Sequence, residues 1–350
     1  EELPEAYKSL IFTYFATTLK DIKKVSRYSK YLLTDKATNV SVFINNLMRD
    51  KITKECFEKL SKEVEKEFGI DELLNSMDIE DYILSDAFES IDKYIIKYVV
   101  DRLFDGIGEY DIYKNYIDTR ENKYWFEKLS NEYNLLKVAI AFFRKINRVE
   151  DSIKIVDIDR FAKDYVDNFS EVDTLYRKTY YFFDNIGNRD LFISLKNKIE
   201  NIYVNNFMSE LSIKWSDMIE NMSRYDSNRM VLQKNFYKNY IKPFNDKKDR
   251  IIVIISDAFR YECAKELNER LKQFASKSDI TYMQGLVPSY TKLGMAALLP
   301  NNKLSRVKDS DDILVDGQVS SSIKDREILL QKENQDSIAI KYDNLYEMTK

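Results

Sequence analysis

Two residues stand where α/β proteins commonly do chemistry, Asp257 and Thr291. Asp257 follows Ile251-Ile252-Val253-Ile254-Ile255 and Ser256, an aliphatic run that is β-branched throughout and preceded by charge. Such a run predicts a strand buried on both faces of a parallel sheet. Ligands of open α/β sheets bind at the carboxyl ends of strands, where a carboxylate suits a metal ion. The plain alternative is that Asp257 caps the next helix. Thr291 lies in Val287-Pro288-Ser289-Tyr290-Thr291-Lys292-Leu293-Gly294, which leads into Met295-Ala296-Ala297-Leu298-Leu299-Pro300. The pattern predicts a short helix from Thr291 to about Leu299, closed by Pro300, with Thr291 in its first turn. A hydroxyl there is near the positive end of the helix dipole, where anions and alkoxides are stabilised. A metal ion alongside would make it a nucleophile. Simple capping is again the alternative.

The chain contains no histidine. Its residues therefore cannot perform Ser-His-Asp or Cys-His catalysis, and they lack the commonest zinc ligand. A metal site built from this chain alone would rest on carboxylates, hydroxyls and carbonyls. Cys56 and Cys263 are far apart in sequence and are expected to be small buried thiols in a reducing cytoplasm, not a disulfide. A net charge of −4 over 350 residues counts against nonspecific capture of nucleic acid or acidic membrane. No stretch approaches the ~18 consecutive apolar residues of a membrane span.

The elements that must position Asp257 and Thr291 fall into two regions, 1–245 and 246–350. Pro4 and Pro243 bracket a stretch without proline, and its glycines are Gly69, Gly106, Gly108 and Gly187. Lacking breakers, residues 1–245 read as helical. Leu191, Leu195, Ile199 and Ile202 form one helical stripe, and Tyr133, Leu136, Ile140 and Phe143 form another. Ser170-Glu171-Val172-Asp173 has the pattern of a helix start. Aromatic clusters such as Tyr124-Trp125-Phe126 and Tyr180-Tyr181-Phe182-Phe183 predict a ring-packed core over a base-stacking surface. After Lys247-Lys248-Asp249-Arg250 the texture changes. A strand at 251–255, a helix from Phe259 to about Phe274 with Ala264, Leu267 and Leu271 inward, and a strand at 280–283 give a βαβ rhythm. Asp311–Val315 adds a strand, and Ser322 to about Glu333 a helix. The fold class expected is α followed by α/β, with a mostly parallel sheet.

Ile254-Ile255-Ser256-Asp257-Ala258-Phe259-Arg260-Tyr261-Glu262, with Pro-Ser-x-Thr-Lys-Leu-Gly-Met-Ala-Ala-Leu-Leu-Pro from Pro288, resembles the PglZ domain. The closer likeness is to type A PglZ proteins of the BREX bacteriophage-exclusion systems. Asp316-Gly317-Gln318, Ser320 to Ser322 and Arg326-Glu327-Ile328-Leu329 fit the same pattern. The resemblance covers 225–350 strongly and the helical region more thinly. It implies the alkaline-phosphatase superfamily, and so a metal-dependent phosphatase or phosphodiesterase serving phage defence. Thr291 would take the phosphoryl group, and Asp257 and Thr291 would be metal ligands. Divalent ions, Zn²⁺ or Mn²⁺, would be the cofactors of the full-length protein. Nucleotide pyrophosphatase/phosphodiesterases of that superfamily carry Asn three residues after the Thr, where this chain has Gly294, so substrate contacts differ there. Further Asp and His ligands are expected from later strands. The chain thus reads as an internal segment with an incomplete site, inactive alone and holding no metal stably. Its partners would be other phage-defence components, such as a DNA methyltransferase. The alternative is a scaffold that docks those components through the helical region without catalysis. Direct nucleic-acid binding by that region is disfavoured by its acidic balance.

Overall fold

The computed structural model describes residues 5–149, 153, 157–222 and 225–347. They divide into two compact units: Glu1–Ile153 with Glu171–Ser212, and Lys154–Ser170 with Ile213–Lys350.

The first unit is helical among its described residues. The Glu5–Thr18, Ala37–Arg49 and Lys54–Phe68 helices pack together. Phe12, Phe15, Phe57 and Phe88 are fully buried there, and Phe12 stacks on Phe68 with centroids 4.6 Å apart. Burial of each such ring is worth roughly 1.5–3 kcal/mol. The stripe Tyr133, Leu136, Ile140 and Phe143 on the Ser130–Val149 helix is buried; of the other, Leu195 and Ile199 on the Ile193–Asn201 helix are buried, while Leu191 and Ile202 flank that helix and are half-buried. Trp125 is also buried, its indole donating to the Asp86 carbonyl at 2.9 Å. Tyr181 departs from the core assignment and faces solvent.

A fully buried ion pair organises this unit. Arg120 forks onto Asp92, Nε to Oδ1 at 2.9 Å and Nη2 to Oδ2 at 2.6 Å. Its Nη1 donates to the Ser85 and Ile83 carbonyls, and the Tyr133 hydroxyl donates to Asp92 Oδ1 at 2.6 Å. A bidentate guanidinium with its remaining donors occupied is the geometry in which a buried pair is tolerated.

The Ser170–Asp184 α-helix begins at Ser170 with Glu171 and Asp173 in its first turn, but Ser170 is not a free cap. The Ile158–Asp164 helix runs through a π-helical turn, Tyr165–Phe169, into Ser170–Asp184 without a break. The Ser170 hydroxyl donates back to the Val166 carbonyl at 3.3 Å, an i−4 bond open to serine inside a helix.

The second unit is mixed. β1 (Val231–Leu232), inside the stretch read as helical, pairs in parallel with β2 (Met283–Gln284), Val231 opposite Met283. β3 (Leu304–Arg306), β4 (Ile313–Val315) and β5 (Gln318–Val319) form a separate sheet that is antiparallel, not parallel. Asp316 and Gly317, both at positive φ, make the two-residue β4–β5 turn, a conformation that suits this residue pair. Ala296, Leu299, Ile313, Val315 and Leu329 form a local core. The Ile323–Gln331 helix starts as predicted, in a capping box between Ser322 and Asp325.

Two expectations fail here. Residues 251–255 belong to no strand, and Ile252 and Ile254 are 73% and 86% exposed. Such a run is buried only when neighbouring strands flank it, and among the described residues β1 takes β2 as its partner instead. The Tyr261–Leu271 helix does form, but Leu267 and Leu271 face outward while Glu262 and Asn268 are buried. No helix of the described residues is long and apolar enough to cross a membrane.

Removing one side of the buried pair would leave a charge without compensation. Asp92→Ala is expected to lower unfolding free energy by about 3–5 kcal/mol in urea titration. A loss below about 1 kcal/mol would show that the pair does not organise this unit.

Candidate functional site

Asp257 and Thr291 meet. Thr291 opens the Thr291–Ala297 helix after Tyr290, whose φ of −138° and ψ of 156° place it in the extended cap position. The Thr291 hydroxyl donates to Asp257 Oδ2 at 3.0 Å. The other carboxylate oxygen, Oδ1, accepts from the Ala258 N–H at 2.9 Å. Neither residue is capped into a helix by its own side chain. Asp257 therefore holds the Thr291 oxygen at a helix start instead of capping a helix itself.

The backbone next to the carboxylate is strained. Ala258 has φ of +56°, the left-handed region, which is disfavoured for a residue with a Cβ by roughly 1–2 kcal/mol. This conformation lies in the turn that follows Ile255-Ser256.

The residues flanking Thr291 are anchored to the small antiparallel sheet. Lys292 Nζ donates to Asp311 Oδ1 at 2.6 Å and to Asp312 Oδ1 at 2.8 Å. The Ser321 hydroxyl also donates to Asp312, and the Tyr290 hydroxyl donates to the Asp311 carbonyl. The two carboxylates raise the Lys292 ammonium pKa, Asp311 contributing most. In return Lys292, then Ser321 and Ser310, lower the Asp312 carboxyl to about 2. A depressed carboxyl stabilises the fold above its ordinary pKa of roughly 4, and the contribution is lost as pH falls toward about 2. The anchor is thus fully charged at neutral pH, though its exposure to solvent keeps it weak.

Gly294, which stands at the position of the expected asparagine, offers only backbone. Its carbonyl accepts from Gln233 Nε2 at 3.3 Å, and a Cβ there would lie 3.4 Å from that nitrogen. Beside the helix a cleft of about 410 Å³ is lined by Tyr290, Leu293, Leu304, Ile313, Arg306 and Asp311, among others.

The fit of this donor set to a metal ion can be judged directly. Among the described residues no group of three or more His, Cys, Asp or Glu could hold one. Asp257 and Thr291 supply a carboxylate and a hydroxyl, whereas zinc takes about four ligands and larger hard cations six or more. Alone, these two do not make a metal centre. The cysteines do not extend the set: Cys56 is exposed, not buried as expected, and Cys263 is half-buried with its thiol directed to Glu262 Oε1 at 3.2 Å.

The sequence reading missed Gln233 and the Lys292–Asp311–Asp312 anchor. Lys292 carried a signal, being a cation beside the candidate nucleophile. Gln233 carried none, because its surroundings read as helix.

Residues 236–350 match the family model described as the BREX system PglZ alkaline phosphatase-like domain. The alkaline phosphatase-like protein PglZ of Bacillus cereus (strain H3081.97) is 37% identical over 315 residues, covering 89% of this chain and 37% of its own. The alkaline phosphatase-like protein BrxZ of Escherichia coli O9:H4 (strain HS) is 32% identical over 275 residues, covering 74% and 31%. The chain spans about a third of the length of these relatives. No solved structure matches.

Because Ala258 is held in the left-handed region, side-chain shape at 258 should matter more than polarity. Ala258→Gly should leave stability within about 1 kcal/mol, since relief of strain and added chain entropy oppose each other. Ala258→Val should cost more, because a β-branched residue is a poor fit at positive φ. Equal melting temperatures for the two variants would contradict this.

Proposed function

The chain belongs to the PglZ family of BREX alkaline phosphatase-like proteins, and we propose that the full-length protein hydrolyses phosphoesters with Thr291 as its nucleophile. The observation that carries the reading is the 3.0 Å hydrogen bond from Thr291 to Asp257 at a helix start. By accepting the hydroxyl hydrogen, Asp257 orients the Thr291 oxygen so that its lone pairs face outward. Attack on phosphorus from there would be in line with the departing alcohol, and a water would later release the phosphate from Thr291.

Asp257 is also the metal ligand of this reading, with Thr291 as a second oxygen. Bound Zn²⁺ or Mn²⁺ would stabilise charge on the phosphoryl oxygens. Because the described residues bring only these two donors together, the ion would need others, and this segment alone would be inactive. Residues 1–245 then serve docking and residues 246–350 chemistry. The partners are other BREX components in the cytoplasm, a DNA methyltransferase among them, and the acidic balance of the chain disfavours direct nucleic-acid binding by this segment.

A scaffold role is the second reading. It is favoured by apolar side chains that the helical unit leaves exposed, Val42, Phe43 and Ile52, on a surface otherwise suited to protein contact.

The test is hydrolysis of a generic phosphodiester with Zn²⁺ or Mn²⁺ by the full-length protein, its Thr291→Ala variant and this segment alone. The variant is expected to lose on the order of 10³-fold or more in kcat, and the segment to be silent. A Thr291→Ala protein as fast as wild type would overturn the mechanism. A variant that is hydrolytically dead yet still excludes phage would favour the scaffold.

A further inference from the structure

We infer that Gln233 is a positioning residue for Thr291, so that support of the nucleophile begins ahead of the family-matched residues 236–350. This rests on the reading of Thr291 as nucleophile.

Gln233 follows β1 directly, and its one side-chain amide reaches both flanks of the Thr291 segment. Its Oε1 accepts from the Leu286 N–H at 3.3 Å, and its Nε2 donates to the Gly294 carbonyl at 3.3 Å. A primary amide offers an acceptor and a donor side by side, so it can bridge a free N–H and a free carbonyl where a carboxylate or ammonium could not. Two glycines flank this amide, and a Cβ at either would meet it only in ordinary van der Waals contact. A Cβ at Gly294 would lie 3.4 Å from Nε2, and one at Gly285 3.7 Å from Oε1.

The neighbouring residues tie down the same ends. Asn301 Nδ2, just beyond the Thr291–Ala297 helix, donates to the Lys234 carbonyl at 3.1 Å and to Leu299 at 2.7 Å. On β2, Gln284 accepts from the Ser227 N–H at 2.6 Å and donates to the Tyr225 carbonyl at 2.7 Å. Residues 225–235 thus grip the loop that carries Thr291 before, within and after its helix. The Lys292 anchor on the opposite side is made of exposed charges, which water screens. Gln233 is the half-buried contact, and its loss should let the hydroxyl drift. Misplacement of a reacting group by about 1 Å can cost on the order of 100-fold in rate.

The experiment uses the full-length protein with Gln233→Ala and Gln233→Glu, and has two readouts. In hydrogen exchange, Gln233→Ala should speed exchange of the Leu286 amide at least about tenfold. Gln233→Glu, which keeps the acceptor, should protect it. In turnover of a generic phosphodiester, Gln233→Ala should lower kcat about 10- to 100-fold with KM within about threefold. Unchanged exchange at Leu286 would overturn the contact. Faster exchange with unchanged kcat, while Thr291→Ala is inactive, would overturn the positioning role and leave the nucleophile reading standing. A Thr291→Ala protein as active as wild type would remove both.

Discussion

The site depends on one short pairing, β1 with β2. Only Val231–Leu232 and Met283–Gln284 take part, yet this parallel contact sets residues 225–235 beside the loop that carries Thr291. Two glutamines extend it by side-chain amide bonds, Gln284 of β2 toward 225–227 and Gln233, just after β1, toward 286 and 294. A two-residue ladder is marginal by itself. Side-chain bonds from these glutamines make it a frame.

Much of the site was legible because the rules involved are local. Thr291 was placed by a proline-bounded apolar stretch and Asp257 by its position after an aliphatic run, and their side chains hydrogen-bond across the intervening chain. The ring-packed core and the helix beginning at Ser322 were legible for the same reason. What could not be read depends on partners chosen in three dimensions. Ser170 looks like a cap, but a serine hydroxyl can also bond back to the i−4 carbonyl within a helix. The run 251–255 looks like a central strand, but a strand is defined by its neighbours, and periodicity says nothing about which run pairs with which. The Tyr261–Leu271 helix buries Glu262 and Asn268, where composition would have chosen its leucines.

The chemistry proposed here is concentrated in few atoms. Asp257 commits one oxygen to Thr291 and the other to the backbone of a strained Ala258. A carboxylate so oriented is preorganised, and preorganisation is what converts an ordinary hydroxyl into a candidate nucleophile. The helical unit is built on a different logic, with charge sealed between Arg120 and Asp92 and rings packed around them. The relatives are about three times as long as the matched span, so the donors that would complete a metal site are sought in the full-length protein.

The central claim is that phosphorus bonds to Thr291. It is tested most directly by incubating the full-length protein with a phosphodiester and Zn²⁺ or Mn²⁺, quenching in acid, and mapping covalent adducts by peptide mass spectrometry. A phosphoryl or phosphodiester adduct on Thr291, absent from the Thr291→Ala protein, is the predicted result. Turnover with an adduct on another residue, or with the Thr291 peptide unmodified under conditions that trap the intermediate, would contradict it.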